Sequence, residues 1–538
     1  MAPGVKKPVN IFKLKDLGEP KNVFNWRLWF AVISFGLLGA ARGVDEGLIS
    51  GAFNSKDFQS YINYDSYNLV EKTNIKANVS AMVQIGSVGG ALFLKAVYAG
   101  RFIAGLGVGQ TTVVGPIYIA EIAPASVRGL CTCIFTGFVY LGIVLAYFTN
   151  YGAQVNIGDS THARWLVPTS LHIIFAGLVF ILTFLQYESP RFLVKKGKNE
   201  KAIENMAKIR HLSPDDPYVL REVNAIRNAY EEELEATMGA SWVGVLKELF
   251  LVPSNAYRLW LSAMVQLLGQ WSGAGSITLY APDFFDLLGI HGDNESLLVS
   301  GVFGIVKLVA AVSCALFLVD FIGRKRSLLI GITCQAIAMI YIAGFLTAVP
   351  ELEDGSGTYT FKAAELKASR GAIAMIYLSG FGWALGWNSM QYLLTSEIFP
   401  LRIRALATSI SMTLHFANQY GNSRAVPNML LPVDQGGISP MGTFWCFAAI
   451  TVLGGIWVLL FVPETGGRDL ESMNRLFALP WYQIGLRGNR DADRMDAALS
   501  EKDEQGYEFA ANAGQAEHAD RANEGSVRNE KRGDDTRV

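Results

Sequence analysis

The chain is 538 residues long, 51% hydrophobic and only 17% charged, with 54 glycines and a mean hydropathy of +0.27. So apolar a composition excludes a soluble enzyme and points to an all-α, polytopic membrane protein. The net charge of −1 says nothing about partners, so the placement of charge has to be read instead.

Residues 1–27 are polar and basic, with Lys6, Lys7, Lys13, Lys15 and Lys21. No cleavable signal peptide is visible, and the first apolar run is expected to stay as a span. Apolar runs predict spans near 28–50, 79–98, 99–120, 130–152 and 165–187, an N-terminal bundle over 28–187. Residues 188–255 are polar and helix-prone, with Arg191, Lys195, Lys196, Lys198, Lys201, Lys208 and Arg210 close to the preceding span. Six more spans follow near 256–288, 297–319, 327–348, 371–396, 403–430 and 440–462, a C-terminal bundle over 256–463. Residues 464–538 form a C-terminal segment that reads as disordered from about 485, where apolar residues become scarce. The positive-inside rule puts the N-terminus, the 188–255 linker and the loop Arg324-Lys325-Arg326 in the cytoplasm. The sequons Asn78-Val79-Ser80 and Asn294-Glu295-Ser296 then fall in outer loops. The five cysteines, Cys131, Cys133, Cys314, Cys334 and Cys446, lie in or beside apolar runs and read as packing residues, not as a disulfide framework.

One charged signature occurs twice. Glu121-Ile122-Ala123-Pro124 is followed by Arg128, and Glu397-Ile398-Phe399-Pro400 is followed by Arg404 at the same distance. The interval between the two returns between Glu188, in Tyr187-Glu188-Ser189-Pro190-Arg191, and Glu464, in Pro463-Glu464-Thr465-Gly466. Two marks at one interval mean two homologous halves.

The halves do not match in span number. A chain with its N-terminus and linker on one side must cross an even number of times between them, yet residues 28–187 hold five runs. In the second half Asp320, opening Asp320-Phe321-Ile322-Gly323-Arg324-Lys325, stands far enough before Glu397 to leave room for two spans. The position equally far before Glu121 is 44, still inside the first span. Residues 79–120 as one helix would run roughly 63 Å at ~1.5 Å per residue, two membrane thicknesses with scarcely a turn. One helix and its Asp-x-x-Gly-Arg loop are expected to be missing around Leu94-Lys95-Ala96.

Taken together, Arg101 with Gly105-Leu106-Gly107-Val108-Gly109, the paired Glu…Pro…Arg signatures, Glu188-Ser189-Pro190-Arg191, Gly323-Arg324-Lys325 and Pro463-Glu464-Thr465 resemble the sugar porter family of the major facilitator superfamily. The resemblance covers about residues 25–480. It implies two six-helix bundles closing alternately around a central site. This chain departs from it with about eleven spans and no first-half Asp-x-x-Gly-Arg loop.

Ionisable residues inside spans are expensive and mark function by default. The resemblance implies that Asp45, in Gly43-Val44-Asp45-Glu46-Gly47, takes up a proton with Arg101 as its partner; a permanent ion pair between helices is the structural reading of the same residues. Glu46 reads as a rim residue. Glu121, Arg128, Glu188, Arg324, Glu397, Arg404 and Glu464 lie at cytoplasmic span ends, where acids and bases together suit a gate of salt bridges, or else ordinary interfacial charge.

The substrate pattern is altered. The family's Gln-Gln-x-x-Gly-x-Asn appears as Gly269-Gln270-Trp271-Ser272-Gly273-Ala274-Gly275, followed by Leu279-Tyr280, so one glutamine and the asparagine are gone. Gln266, Gln270, Thr278 and Tyr280 stay candidates for binding hydroxyls, with Tyr392 in Gly386-Trp387-Asn388-Ser389-Met390-Gln391-Tyr392, and with Asn418 and Asn422 four apart on one helix face. Tyr147 stands where hexose carriers place a glutamine. Lys307 lies about ten residues into its span, roughly 15 Å deep at helical rise, too far in to anchor at an interface. It must meet water, a carboxylate, backbone carbonyls or a substrate anion. Resembling fungal carriers include quinate and galacturonate porters, whose acidic polyols would supply that anion.

The expected function is transmembrane transport of a monosaccharide or an acidic polyol such as quinate or galacturonate, by alternating-access proton symport. A nutrient sensor that binds without transporting and an inactive truncated product are the competing readings. Sugar or acidic polyol, protons and the lipid bilayer are the expected partners, with no nucleic acid, no cofactor and no metal. The chain is read as a monomer in the plasma membrane with both termini cytoplasmic.

Overall fold

A computed structural model describes residues 20–486 apart from 54–55, 62–63, 89–95, 125–126, 159–160, 236–241, 291, 319–321, 355–360 and 466–469. The N-terminal lysines before Lys21, Asp320, Leu94, Lys95 and the tail from 487 lie outside the described residues. Among the described residues every regular element is helical. The first half holds α1 (Trp26–Ala52), α2 (Leu69–Val88), α3 (Ala96–Ile122), α4 (Arg128–Asn156) and α5 (Ala163–Phe184). The linker folds as α6 (Pro190–Lys195), α7 (Asn199–Arg210), α8 (Pro217–Glu235) and α9 (Trp242–Leu251).

The second half begins with a path broken into α10 (Pro253–Trp271), α11 (Ala274–Leu279) and α12 (Ala281–Leu287). It continues with α13 (Asp293–Ser313), α14 (Arg324–Ala348), α15 (Ala363–Trp383), α16 (Ser389–Ile398), α17 (Leu401–Met429) and α18 (Ser439–Phe461). A π turn, Cys314–Leu318, prolongs α13, and another, Ala384–Asn388, joins α15 to α16. Residues 468–538 form a separate unit, which holds α19 (Leu470–Ala478) and α20 (Trp481–Ile484).

Seven of these helices are long and apolar enough to cross a bilayer: α1, α3, α4, α5, α13, α14 and α18. The other crossing-length paths, α2, α10–α12, α15–α16 and α17, are too polar for that criterion. Three of them supply central side chains, which explains the lower hydropathy. The second span differs most from expectation: α2 starts ten residues before the predicted 79. Glu71, Lys72 and Lys76 fill its first turns and hide it from a hydropathy reading. The sequon Asn78-Val79-Ser80 is therefore inside a helix with Val79 and Ser80 buried, not in a loop. Asn294 stands in the first turn of α13, also not in a loop.

Close backbone approach explains some of the glycine content. A Cβ on Gly43 would meet Val139 O at 1.9 Å, and one on Gly142 would meet Ala40 O at 2.2 Å, so α1 and α4 touch through their backbones. Gly273, at φ +89, breaks the path between α10 and α11, with the Phe447 ring where a side chain would go.

The direction of each first-half helix follows from its end contacts. Asn25 Nδ2 donates to Ile209 O (2.9 Å), Arg27 Nη1 to Lys208 O (2.7 Å) and Arg210 Nη1 to Ile122 O (2.6 Å), while Ser189 Oγ donates to Glu121. The start of α1 and the end of α3 therefore lie at the linker. At the far end, Lys76 Nζ reaches both oxygens of Asp283 (2.6 and 2.7 Å), and Arg424 Nη2 donates to Asn74 Oδ1 (2.8 Å). α10 leaves the linker at Pro253, so Asp283 on α12 is about a membrane thickness away, and α2 begins there. α2 and α3 thus run in the same direction. Glu121, at the end of α3, lies on the linker side.

Candidate functional site

Where the two halves meet, α1, α4, α11, α13 and α17 present Arg42, Glu46, Tyr140, Thr278, Lys307 and His415 to one central cavity. It is closed down to about 30 Å³, room for about one water. Arg42 and Glu46 are one helical turn apart on α1, and Arg42 Nε and Nη2 both face Glu46 Oε1, at 3.2 and 3.1 Å. Arg42 Nη1 donates to the Tyr392 hydroxyl, and Nη2 faces His415 Nε2 at 3.2 Å. A guanidinium only donates, so His415 Nε2 accepts and its Nδ1 carries the hydrogen, directed at Gln266 Oε1 2.9 Å away. Gln270 Nε2 stands 3.1 Å from the same Nδ1.

Lys307 is 1% exposed. Its Nζ donates to Thr278 Oγ1 and lies over the Tyr140 and Phe303 rings, 5.1 and 5.3 Å from their centroids. Among the described residues no carboxylate comes within ion-pair distance of it. Three buried polar atoms in or beside this network make no hydrogen bond among the described residues: the Tyr140 hydroxyl, Gln266 Nε2 and Gln419 Oε1. Such atoms are rare and call for an explanation.

Of the expected substrate residues, Gln266, Gln270, Thr278, Lys307 and Tyr392 belong to this network. Three others do not line the cavity, because their polar atoms serve the protein itself. The Tyr280 hydroxyl donates to Ser423 O (2.8 Å). Asn418 accepts from Trp271 Nε1 (3.3 Å), and Asn422 clasps Ser276 and the Gln270 carbonyl. The Tyr147 hydroxyl is likewise bound to Thr278 O. Sequence reasoning missed Arg42 and His415, although each is ionisable within a span, and it placed Glu46 at a rim when Glu46 faces the cavity.

Asp45 is buried and faces His172 of α5, Oδ1 to Nε2 3.1 Å. The side chains of Arg101, Arg128 and Glu397 lie outside the described residues, so their expected pairings do too. Some contacts of the other expected gate charges lie among the described residues. Glu188 pairs with Lys201 inside the linker (2.7 Å), and Arg404 donates to Phe399 O (3.0 Å from Nη2). Glu464 accepts from the backbone N–H groups of Arg324 (2.6 Å) and Lys325 (3.2 Å), capping the start of α14. Among the described residues no group of His, Cys, Asp and Glu is arranged to hold a metal ion.

The chain is similar to several known proteins. The quinate permease of Emericella nidulans is 29% identical over 535 residues, covering 91% of this chain and 97% of that one. The quinate permease of Neurospora africana is 28% identical with the same coverage. The proton:xylose symporter XylE bound to 6-bromo-6-deoxy-D-glucose superimposes with a TM-score of 0.67 at 22% identity, over 84% of this chain and 99% of that one. The inward-open XylE from E. coli gives 0.60 at 20% identity, over 84% and 99%. That fold is the two-bundle fold of the major facilitator superfamily. The family model for sugar (and other) transporters matches residues 94–477. On that match, most of the chain's length, the protein belongs to the sugar transporter family.

Proposed function

We propose that this chain is an alternating-access carrier of the plasma membrane, both termini cytoplasmic, that moves an acidic polyol such as quinate or a hexuronate together with a proton. Lys307 carries the reading. It is a buried amine in a mid-membrane cavity with a hydroxyl and two rings for neighbours, an environment that a substrate carboxylate completes. The unbonded Tyr140 hydroxyl and Gln266 amide suit the ring hydroxyls of the same molecule. Kinship with quinate permeases supports the substrate class.

Asp45 is the proposed proton site. It is buried on α1, one helical turn from Arg42, so a proton taken up there and a substrate bound at the cavity act on the same helix. Arg101 on α3 is its proposed switching partner, with His172 in contact from α5. Uptake of labelled quinate, galacturonate and glucose by cells expressing the chain tests this: the two acids should enter in preference to glucose, with uptake rising as external pH falls. Equal uptake of all three would remove the acidic substrate. A monosaccharide is the second reading, and the family match supports it.

A further inference from the structure

We propose that Arg42 receives the substrate's carboxylate and that Glu46 is a built-in placeholder, so that substrate and Glu46 compete for one guanidinium. This rests on the acidic-polyol reading above. The Nε and Nη2 edge of a guanidinium is a fork that matches both oxygens of a carboxylate. Here that fork grips one oxygen only, Glu46 Oε1, and Oε1 also accepts from Gln419 Nε2 at 3.3 Å. The remaining donors of Arg42 are held by two neutral acceptors, Tyr392 and His415 Nε2, which fix the plane of the group without neutralising it. The guanidinium is therefore held in position by its back and lightly engaged at its front.

Glu46 is 17% exposed, against 6% for Arg42, and sits on the same helix, so it can leave by rotating its side chain without moving the backbone. Charge makes the exchange favourable. Arg42 and Lys307 set two cationic groups in the cavity against the single carboxylate of Glu46. A monoanionic substrate balances that count. Once Glu46 is displaced, the substrate carboxylate lies between Arg42 of the first half and Lys307 of the second, both of which line the cavity.

The test is calorimetric binding to the purified full-length chain, with quinate and its uncharged methyl ester as ligands. Glu46→Gln should bind quinate about tenfold more tightly than wild type, with the ester unchanged. Glu46→Ala, which removes the carboxylate altogether, should do the same and guards against a folding defect peculiar to the amide. Arg42→Gln should cut the preference for quinate over the ester about tenfold, and Arg42→Lys, which keeps the charge but loses the fork, should fall between. If both Glu46 variants bind quinate no more tightly, Glu46 is no placeholder. If Arg42→Gln keeps the wild-type preference for acid over ester, the carboxylate lies elsewhere. A wild type that does not distinguish acid from ester overturns the acidic-polyol reading itself and this inference with it.

Discussion

The proposed substrate class turns on Lys307. A hydrogen bond to a charged group is worth about 1.5–3 kcal/mol, so Lys307→Met is expected to weaken an acidic polyol by roughly 10–100-fold. A neutral sugar should lose less than about threefold, and equal losses in a binding assay would refute the anion contact. In the chain with the missing span restored, Asp45→Asn is expected to abolish accumulation against a gradient while exchange of substrate persists; pH-dependent uptake unchanged in that variant would remove Asp45 from coupling. Gly323 is a structural case. At φ +95, with the Glu464 carboxylate 2.5 Å from where a Cβ would stand, Gly323→Ala should cost about 1–3 kcal/mol, read as a lower melting temperature.

At the scale of elements, the linker bundle packs Leu193, Val194, Ala202, Met206, Ala207, Val219 and Val223 into a small core of its own. Arg210 ties it to the membrane helices. Fully buried, it holds both oxygens of Glu222 (3.0 and 2.5 Å) and the terminal carbonyl of α3. Breaking a buried pair costs about 3–5 kcal/mol, but Glu222 is 26% exposed, so about 2–3 kcal/mol is expected for Arg210→Ala. A melt that does not move would show that the linker is not anchored there. Glu188 and Lys201 make the opposite case on the same bundle. The hydrogen bond from Lys201, then its charge, holds the exposed Glu188 carboxyl below its usual range. Any stability from that is present above the unfolded value and lost as pH falls through the lowered one. Solvent screens such a pair, so Lys201→Met is expected to leave the melting temperature and its acid limb unchanged.

For the whole molecule, the parity of crossings decides most. α2 and α3 both begin at the end far from the linker and run toward it, and residues 89–95 between them lie outside the described residues. Eight peptide steps from Val88 to Ala96 reach at most about 29 Å, barely the ~30 Å hydrocarbon core. The chain as written is therefore expected to transport poorly. Inserting about 40 residues there, a basic loop and a span of about 20, should raise uptake several-fold at equal expression. Robust uptake by the uninserted chain, with the linker shown by protease accessibility to be cytoplasmic, would overturn this.

Hydropathy determined the helical class from sequence alone, the family motifs pointed to the altered Gln270 region, and the repeated Glu…Pro…Arg signatures and the parity count raised the expectation of two halves with a helix missing near Leu94. These depend on composition and spacing, which folding does not change. Lys307 also stood out, because depth along one helix can be counted. The cavity's membership was decided by the tertiary structure. Arg42 and His415 are far apart in sequence, and only the packing of α1 against α17 makes one the acceptor for the other. Asn418 and Asn422 have the right polarity and helical phase, yet their hydrogen bonds go to Trp271, Ser276 and the Gln270 carbonyl. Glu188 and Glu464 are repeat twins, yet Glu464 caps α14 while Glu188 pairs with a linker lysine. A repeat specifies residue type, but the partner a charge finds depends on which helix end or side chain lies within about 3 Å of it, and only the assembled chain sets that distance.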